Sequence, residues 1–215
     1  LAGVRTALQS VVGLRRLTAT APTTVGVVGA GFQARFQLLV IDHLLDIETF
    51  RLYDVDGERA RSLAAAVDPG LDAATVVEDA PASVAEGDAI VTVTDSKTPV
   101  LDEAWLDDPS LVVALGSYRE LPDATIQAAD HLVVDHPDQC LQRGALADLA
   151  ERGELGADDL DATIGDVVDG EYRASIGRDE RVVFVPIGVG ALDVAIAERL
   201  RRGEGGGALD EFAFV

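Results

Sequence analysis

An α/β fold built on a doubly wound, mostly parallel sheet with flanking helices is predicted by three features of this 215-residue chain. Short apolar runs bounded by turn residues alternate with stretches of helical periodicity, which is the order of βαβ units. The runs at 25–28, 89–93, 111–115 and 182–185 are almost wholly apolar rather than alternating, as in strands covered on both faces. A glycine-rich turn, Gly29-Ala30-Gly31, joins the first of these runs to the helix that follows.

The elements follow in order. Apolar residues at helical spacing predict a first helix over 4–16, with Gly13 as a poor helix former inside it. A Pro-containing connector leads to a strand ending at Val28 and a helix over 32–45. A second strand at 50–54 precedes a helix over 57–67, stopped by Asp68-Pro69-Gly70. Strands are expected at 74–77, 89–93, 111–115, 132–134 and 182–185. Helical pieces are expected at 81–85, 123–129, 140–152 and 191–201. The acidic stretch 154–171 is read as a solvated loop, and Gly203-Glu204-Gly205-Gly206-Gly207 as a flexible linker.

Composition narrows the function classes. Hydrophobic residues make up 48% of the chain, enough for a packed core rather than a disordered segment. No apolar run reaches the roughly 18 residues of a membrane span. Arg5, Arg15 and Arg16 interrupt the first segment, which therefore does not read as a secretory signal, and a cytoplasmic location is expected. The single Cys140 leaves no internal disulfide or multi-cysteine zinc site. His43, His131 and His136 share no element at ligand spacing, so no metal is expected. Asp and Glu number 38 against 17 Lys and Arg, a net charge of −21, and Lys97 is the one lysine. Such a field repels nucleic acid and anionic membranes as partners. It also opposes the compact state unless salt screens it, which suggests a halophilic source.

Gly29-Ala30-Gly31-Phe32-Gln33-Ala34 is a GxGxxA sequence lying between a predicted strand and a predicted helix, the context a Rossmann-type dinucleotide site requires. Gly29 permits the tight turn, Gly31 lets backbone approach a pyrophosphate, and Ala34 is small enough for close helix–sheet packing. Phe32 and Gln33 open the helix whose N-terminal amides would face the phosphates. Asp54 ends the second strand 23 residues after Gly31, where an acid bonds the adenosine ribose hydroxyls and repels a 2′-phosphate. NAD is therefore expected over NADP, with Arg59 read as lying on the solvent face of the next helix. Thr92, Thr94 and Ser96 leave the end of a later strand, where their hydroxyls would meet the cofactor; a plain Ser/Thr/Asp turn explains them as well.

Taken in order, Val4-Arg5-Thr6-Ala7, the GAGFQA turn, Thr92–Val100, Val113–Ser117, the stretch 132–155 and Gly188–Asp193 resemble the ornithine cyclodeaminase/mu-crystallin family, which includes archaeal alanine dehydrogenases. The resemblance implies an NAD-dependent protein acting at the alpha carbon of a small amino acid: hydride passes to NAD, an imine forms and ammonia leaves. Oxidative deamination of the alanine dehydrogenase type and a non-catalytic, mu-crystallin-like NAD(H) carrier are the alternatives. It also implies that Arg5 reaches the substrate carboxylate, that Asp193 lies beside the nicotinamide, that Leu115 contributes to the cofactor site, and that a homodimer forms. The chain matches only about the C-terminal two-thirds of a usual member. On that basis 1–20 is read as a helix packed on the nucleotide domain, 21–180 as the NAD-binding domain, and 181–215 as the remnant of a substrate and dimerisation domain. Ornithine-cyclising members carry an acid–base aspartate where this chain has Tyr118, a poor base at neutral pH.

Overall fold

The computed structural model describes residues 2–106, 111–172 and 180–202. Within them lies one eight-stranded sheet, all of whose pairings are parallel. The strands are β1 (Thr24–Val28), β2 (Thr49–Tyr53), β3 (Ala74–Val77), β4 (Ala89–Thr92), β5 (Leu111–Ala114), β6 (His131–Val134), β7 (Ala162–Thr163) and β8 (Val182–Val185). Their order is β3-β2-β1-β4-β5-β8-β6-β7. From β1 the chain winds outward through β2 and β3, then returns to place β4 on the other side of β1. That reversal opens a crevice beyond the carboxyl ends of β1 and β4, where ligands bind in doubly wound sheets.

The helices are α1 (Ala2–Arg16), α2 (Phe32–Leu44), α3 (Gly57–Val67), α4 (Asp123–Gln127), α5 (Pro137–Cys140), α6 (Ala147–Glu151), α7 (Ile164–Asp169) and α8 (Gly190–Arg201). Strand side chains alternate between two apolar layers. Val25, Val27, Leu52, Val91, Val113 and Phe184 join the layer beneath α1 and α2. Val28, Ile90, Val112, Val134, Val183 and Val185 join the layer on the other face. Gly13 has a packing reason to be there: a Cβ at that position would stand 2.8 Å from the Phe184 ring, so α1 sits close against β8 because the side chain is missing.

Three expectations change. The helix expected over 140–152 is helical only in part: α5 ends at Cys140 and α6 spans Ala147–Glu151. Between them Gly144 takes a left-handed φ of 80°, which ends helical bonding and turns Arg143 toward the crevice. The acidic stretch 154–171 is not all loop but holds β7 and α7. Thr163 caps α7 reciprocally with Asp166, the Thr hydroxyl accepting from the Asp166 amide at 3.2 Å and the carboxylate accepting from the Thr163 amide at 2.8 Å. Finally, the sheet runs past residue 180, because β8 lies between β5 and β6. The glycine-rich tail at 203–207 lies outside the described residues.

Candidate functional site: a two-part cleft at the sheet's carboxyl edge

The turn after β1 shapes one half of the crevice. Gly29 adopts φ 106°, and a Cβ there would meet the Val93 carbonyl oxygen at 2.7 Å, so both conformation and space demand glycine. Asp54, at the end of β2, reaches back across the turn: one oxygen accepts from the Ala30 amide at 2.7 Å and the other from the Asp56 amide at 2.9 Å. A carboxylate has about four acceptor sites, so capacity remains for the hydroxyls of a ribose. Asp54, Gly29, Gly31, Ser96 and Trp105 line a cavity of about 720 Å³.

The second half lies on the other side of Gly31, a cavity of about 430 Å³ beyond β4, β5 and β8. Arg5, Gln33, Thr94, Leu115, Ser117 and Arg143 face it. The exposed Phe32 also lies on this side, with its ring edge-on to Phe36 at 5.0 Å. Ala34 is fully buried and contributes by letting α2 approach the sheet. The side-chain oxygen of Gln33 is buried and has no hydrogen-bond partner, while its nitrogen lies 3.5 Å from the Thr6 hydroxyl.

Arg5 and Asp193, 188 residues apart, meet at 3.4 Å. Arg5 also donates to Gln9 at 3.2 Å, and Gln9 donates to Asp135 at 3.0 Å. Asp135 accepts from the Ile187 and Gly188 amides at 3.2 and 2.6 Å, fixing the loop that leads to Asp193. Gly188, at φ 84°, lets the Arg5 guanidinium pass directly over its backbone. Arg5 thus reaches the cleft from α1, held by residues of three separate segments.

Two expected placements are corrected. Thr92 does not face the cleft. It is wholly buried, its hydroxyl donates to Glu120 at 2.9 Å, and strand alternation turns it into the sheet interior. Arg59 is exposed but does not point away to solvent. It borders both cavities, with a guanidinium nitrogen 3.3 Å from where a Cβ on Gly31 would stand. Its guanidinium makes no hydrogen bond or ion pair among the described residues.

Glu120 is the residue sequence reasoning missed. It is fully buried and accepts four hydrogen bonds: Thr94 amide at 2.6 Å, Thr94 hydroxyl at 2.7 Å, Thr92 hydroxyl at 2.9 Å and Gly116 amide at 2.5 Å. Burial raises its acid above the usual carboxylate range, while the bonds from Thr94, Gly116 and Thr92 pull it back. Little in the sequence marks it, because three of its four bonds come from Thr92 and Thr94, 28 and 26 residues away. Cys140 is buried against Asp135 and the Val185 carbonyl, and burial pushes its thiol up to about 12, far from a nucleophile's range. Among the described residues no group of three or more His, Cys, Asp and Glu is placed to hold a metal. Nor is any helix among them long and apolar enough to cross a membrane.

Residues 1–203 match the family model described as "Ornithine cyclodeaminase/mu-crystallin family". The chain belongs to that family. It is 29% identical over 200 residues to an alanine dehydrogenase of Archaeoglobus fulgidus, covering 91% of this chain and 61% of that protein. It is 30% identical over 203 residues to a Delta(1)-pyrroline-2-carboxylate reductase of Bacillus cereus, covering 92% and 62%. The chain therefore spans about three-fifths of the length of these relatives. Among solved structures it resembles an archaeal alanine dehydrogenase dimer with bound NAD, with TM-score 0.82, 25% identity, and coverage of 98% of this chain and 67% of the other. It also shares its fold with the Thermococcus litoralis Delta(1)-pyrroline-2-carboxylate reductase in complex with NADH and L-proline, with TM-score 0.85, 22% identity, and coverage of 94% and 66%.

Proposed function

We propose that this family member is the dinucleotide-binding part of an NAD(H)-dependent enzyme that works at the alpha carbon of a small amino acid or of the matching imine. The observation that carries the reading is the Asp54 carboxylate, held by the Ala30 amide over the Gly29 turn and bordering the larger cavity. Adenosine fits that half, its ribose hydroxyls on Asp54, whose charge opposes a 2′-phosphate. Gly31 and the exposed Arg59 then lie where the phosphates cross, and the nicotinamide end falls in the second half, between Gln33, Thr94 and Leu115. When bound, the nicotinamide supplies hydride transfer. Arg5 presents a planar, bidentate donor for the substrate carboxylate, and Asp193 holds that guanidinium in place.

Dehydrogenation or imine reduction fits this chain better than cyclisation. Tyr118 stands where cyclising relatives, by the resemblance, have their acid–base aspartate. It is half exposed, with Lys97 5.3 Å from its ring centroid, and does not border either half of the cleft. The test is a titration of the 215-residue chain with NADH and NADPH in molar KCl. Trp105, on the wall of the adenosine half, reports through quenching. NADH is expected to saturate at least about tenfold more tightly than NADPH, and Asp54→Asn to erase most of that gap, since a charge-assisted hydrogen bond contributes about 1.5–3 kcal/mol. Equal affinities, or no saturable binding, would sink the NAD reading.

A further inference from the structure

Glu120 is a buried carboxyl group that nothing in the proposed chemistry yet uses. It sits one residue layer behind the nicotinamide half of the cleft: Thr94 and Gly116 both border that cavity and both donate to its carboxylate. The two backbone amides are obligatory donors, one on each oxygen, Thr94 on Oε1 and Gly116 on Oε2. A carboxylate accepts both without conflict. Gly116 has no side chain because the Glu120 carboxyl fills the space a Cβ would need. The strand ends of β4 and β5 are thereby drawn together over one buried group. Among the described residues no Arg, Lys or His pairs with it, so its charge is answered only by hydrogen-bond dipoles.

From this placement we propose that Glu120 is a positioning residue with an electrostatic role: it fixes Thr94 and Gly116 against the nicotinamide end and favours the oxidised, cationic ring over the reduced, neutral one. The inference rests on the dinucleotide reading above. The physical reason is that a buried, unpaired negative charge is weakly screened, so a positive ring beyond a single layer of backbone feels it. The charge is also held at a net expense to folding. An acid raised above its unfolded range binds its proton more tightly in the folded chain, so its ionisation works against stability as pH rises through the folded value. Buried carboxyl groups whose acidity is shifted by their surroundings cluster at functional clefts, and this one lies directly behind a cleft wall.

The deciding measurement is the ratio of NAD+ to NADH dissociation constants for the 215-residue chain and for Glu120→Gln, each shown to melt cooperatively. Glu120→Gln removes the charge and also turns an NH2 toward one of the two donor amides, so both forms bind less tightly, but NAD+ is expected to weaken about tenfold more than NADH, about 1.4 kcal/mol. The charge-preserving Thr92→Val, which removes one donor, is expected to leave the ratio within about twofold. A purely structural clamp would weaken both forms alike, and that result, or an unchanged ratio in Glu120→Gln, overturns the proposal. If Glu120→Gln does not fold, the same ratio is read on the unaltered chain as pH is lowered, where protonation removes the charge: NAD+ is expected to weaken relative to NADH, and an unchanged ratio overturns the proposal. Saturable binding with an unshifted ratio sinks this inference alone. Failure of the unaltered chain to bind either form sinks the dinucleotide reading, and this inference with it.

Discussion

The two halves of the cleft are built in opposite ways. The half proposed for adenosine takes its anchor from one β1–turn–α2 unit and the end of the next strand, with Asp54 reaching only as far as Ala30 in sequence, while Ser96 and Trp105 from the segment after β4 supply its other wall. The nicotinamide half draws Arg5 from α1, Thr94 from the end of β4, Gly116 from the end of β5 and Ile187 from beyond β8. The anchor of the near half, Asp54 on the Ala30 amide, is a local motif, whose geometry follows once strand, glycine turn and helix form. The far half exists only when the whole sheet has closed, because its groups are ordered by bonds such as Arg5–Asp193 and Gln9–Asp135 that span 188 and 126 residues. On the proposed reading, the contrast teaches that the dinucleotide's anchor rests on a motif, whereas the groups assigned to the substrate rest on assembly.

The comparison breaks most sharply at Gly29. Gly29→Val forces a β-branched residue to positive φ and drives its Cβ toward the Val93 carbonyl oxygen, 2.7 Å away. Binding of AMP and of NADH should both fall by at least about 100-fold, since the near half fails for either ligand. Isothermal titration with AMP separates the halves: retained AMP binding would show that the turn is not the anchor. A smaller effect is expected at the junction. Arg59→Gln should weaken NADH about fivefold at low salt and less in molar KCl, as for a partly exposed ion pair of about 1 kcal/mol. Adenosine, which lacks phosphate, should be unaffected. Equal loss for adenosine would move Arg59 away from the phosphates. The least selective effect belongs to neither half. With a net charge of −21 spread over the chain, the melting temperature should rise by several degrees between low and molar KCl, by differential scanning fluorimetry. A flat or falling curve would remove the halophile reading.

Much of the fold was legible because period and punctuation carry it. Solid apolar runs marked the parallel strands, and Gly29, Gly31 and Asp54 fell where the turn and the second strand place them. Two misread segments still had signals. Thr163 and Asp166 form a capping box three residues apart, masked by the surrounding acidity. Gly144 marked the break in the helix expected over 140–152. Other placements had no local signal. Thr92 and Thr94 lie two residues apart, yet Thr92 is fully buried in β4 and Thr94, just beyond it, borders both cavities. Whether either hydroxyl is free depends on Glu120, 28 and 26 residues further on. Arg59 is near Gly31 only because α3 follows β2 beside the turn.

The sequence by itself determined the parallel α/β class, the glycine turn, the acid that ends the second strand and the resemblance to one family, since each depends on short-range periodicity, backbone conformation or residue order. Only the tertiary structure decided that β8 enters the sheet between β5 and β6, that Arg5 and Asp193 meet, and that Glu120 lies buried behind the cleft. Those depend on which distant strand ends come together, and a hydrogen bond a few ångströms long leaves no periodic trace in residues far apart along the chain.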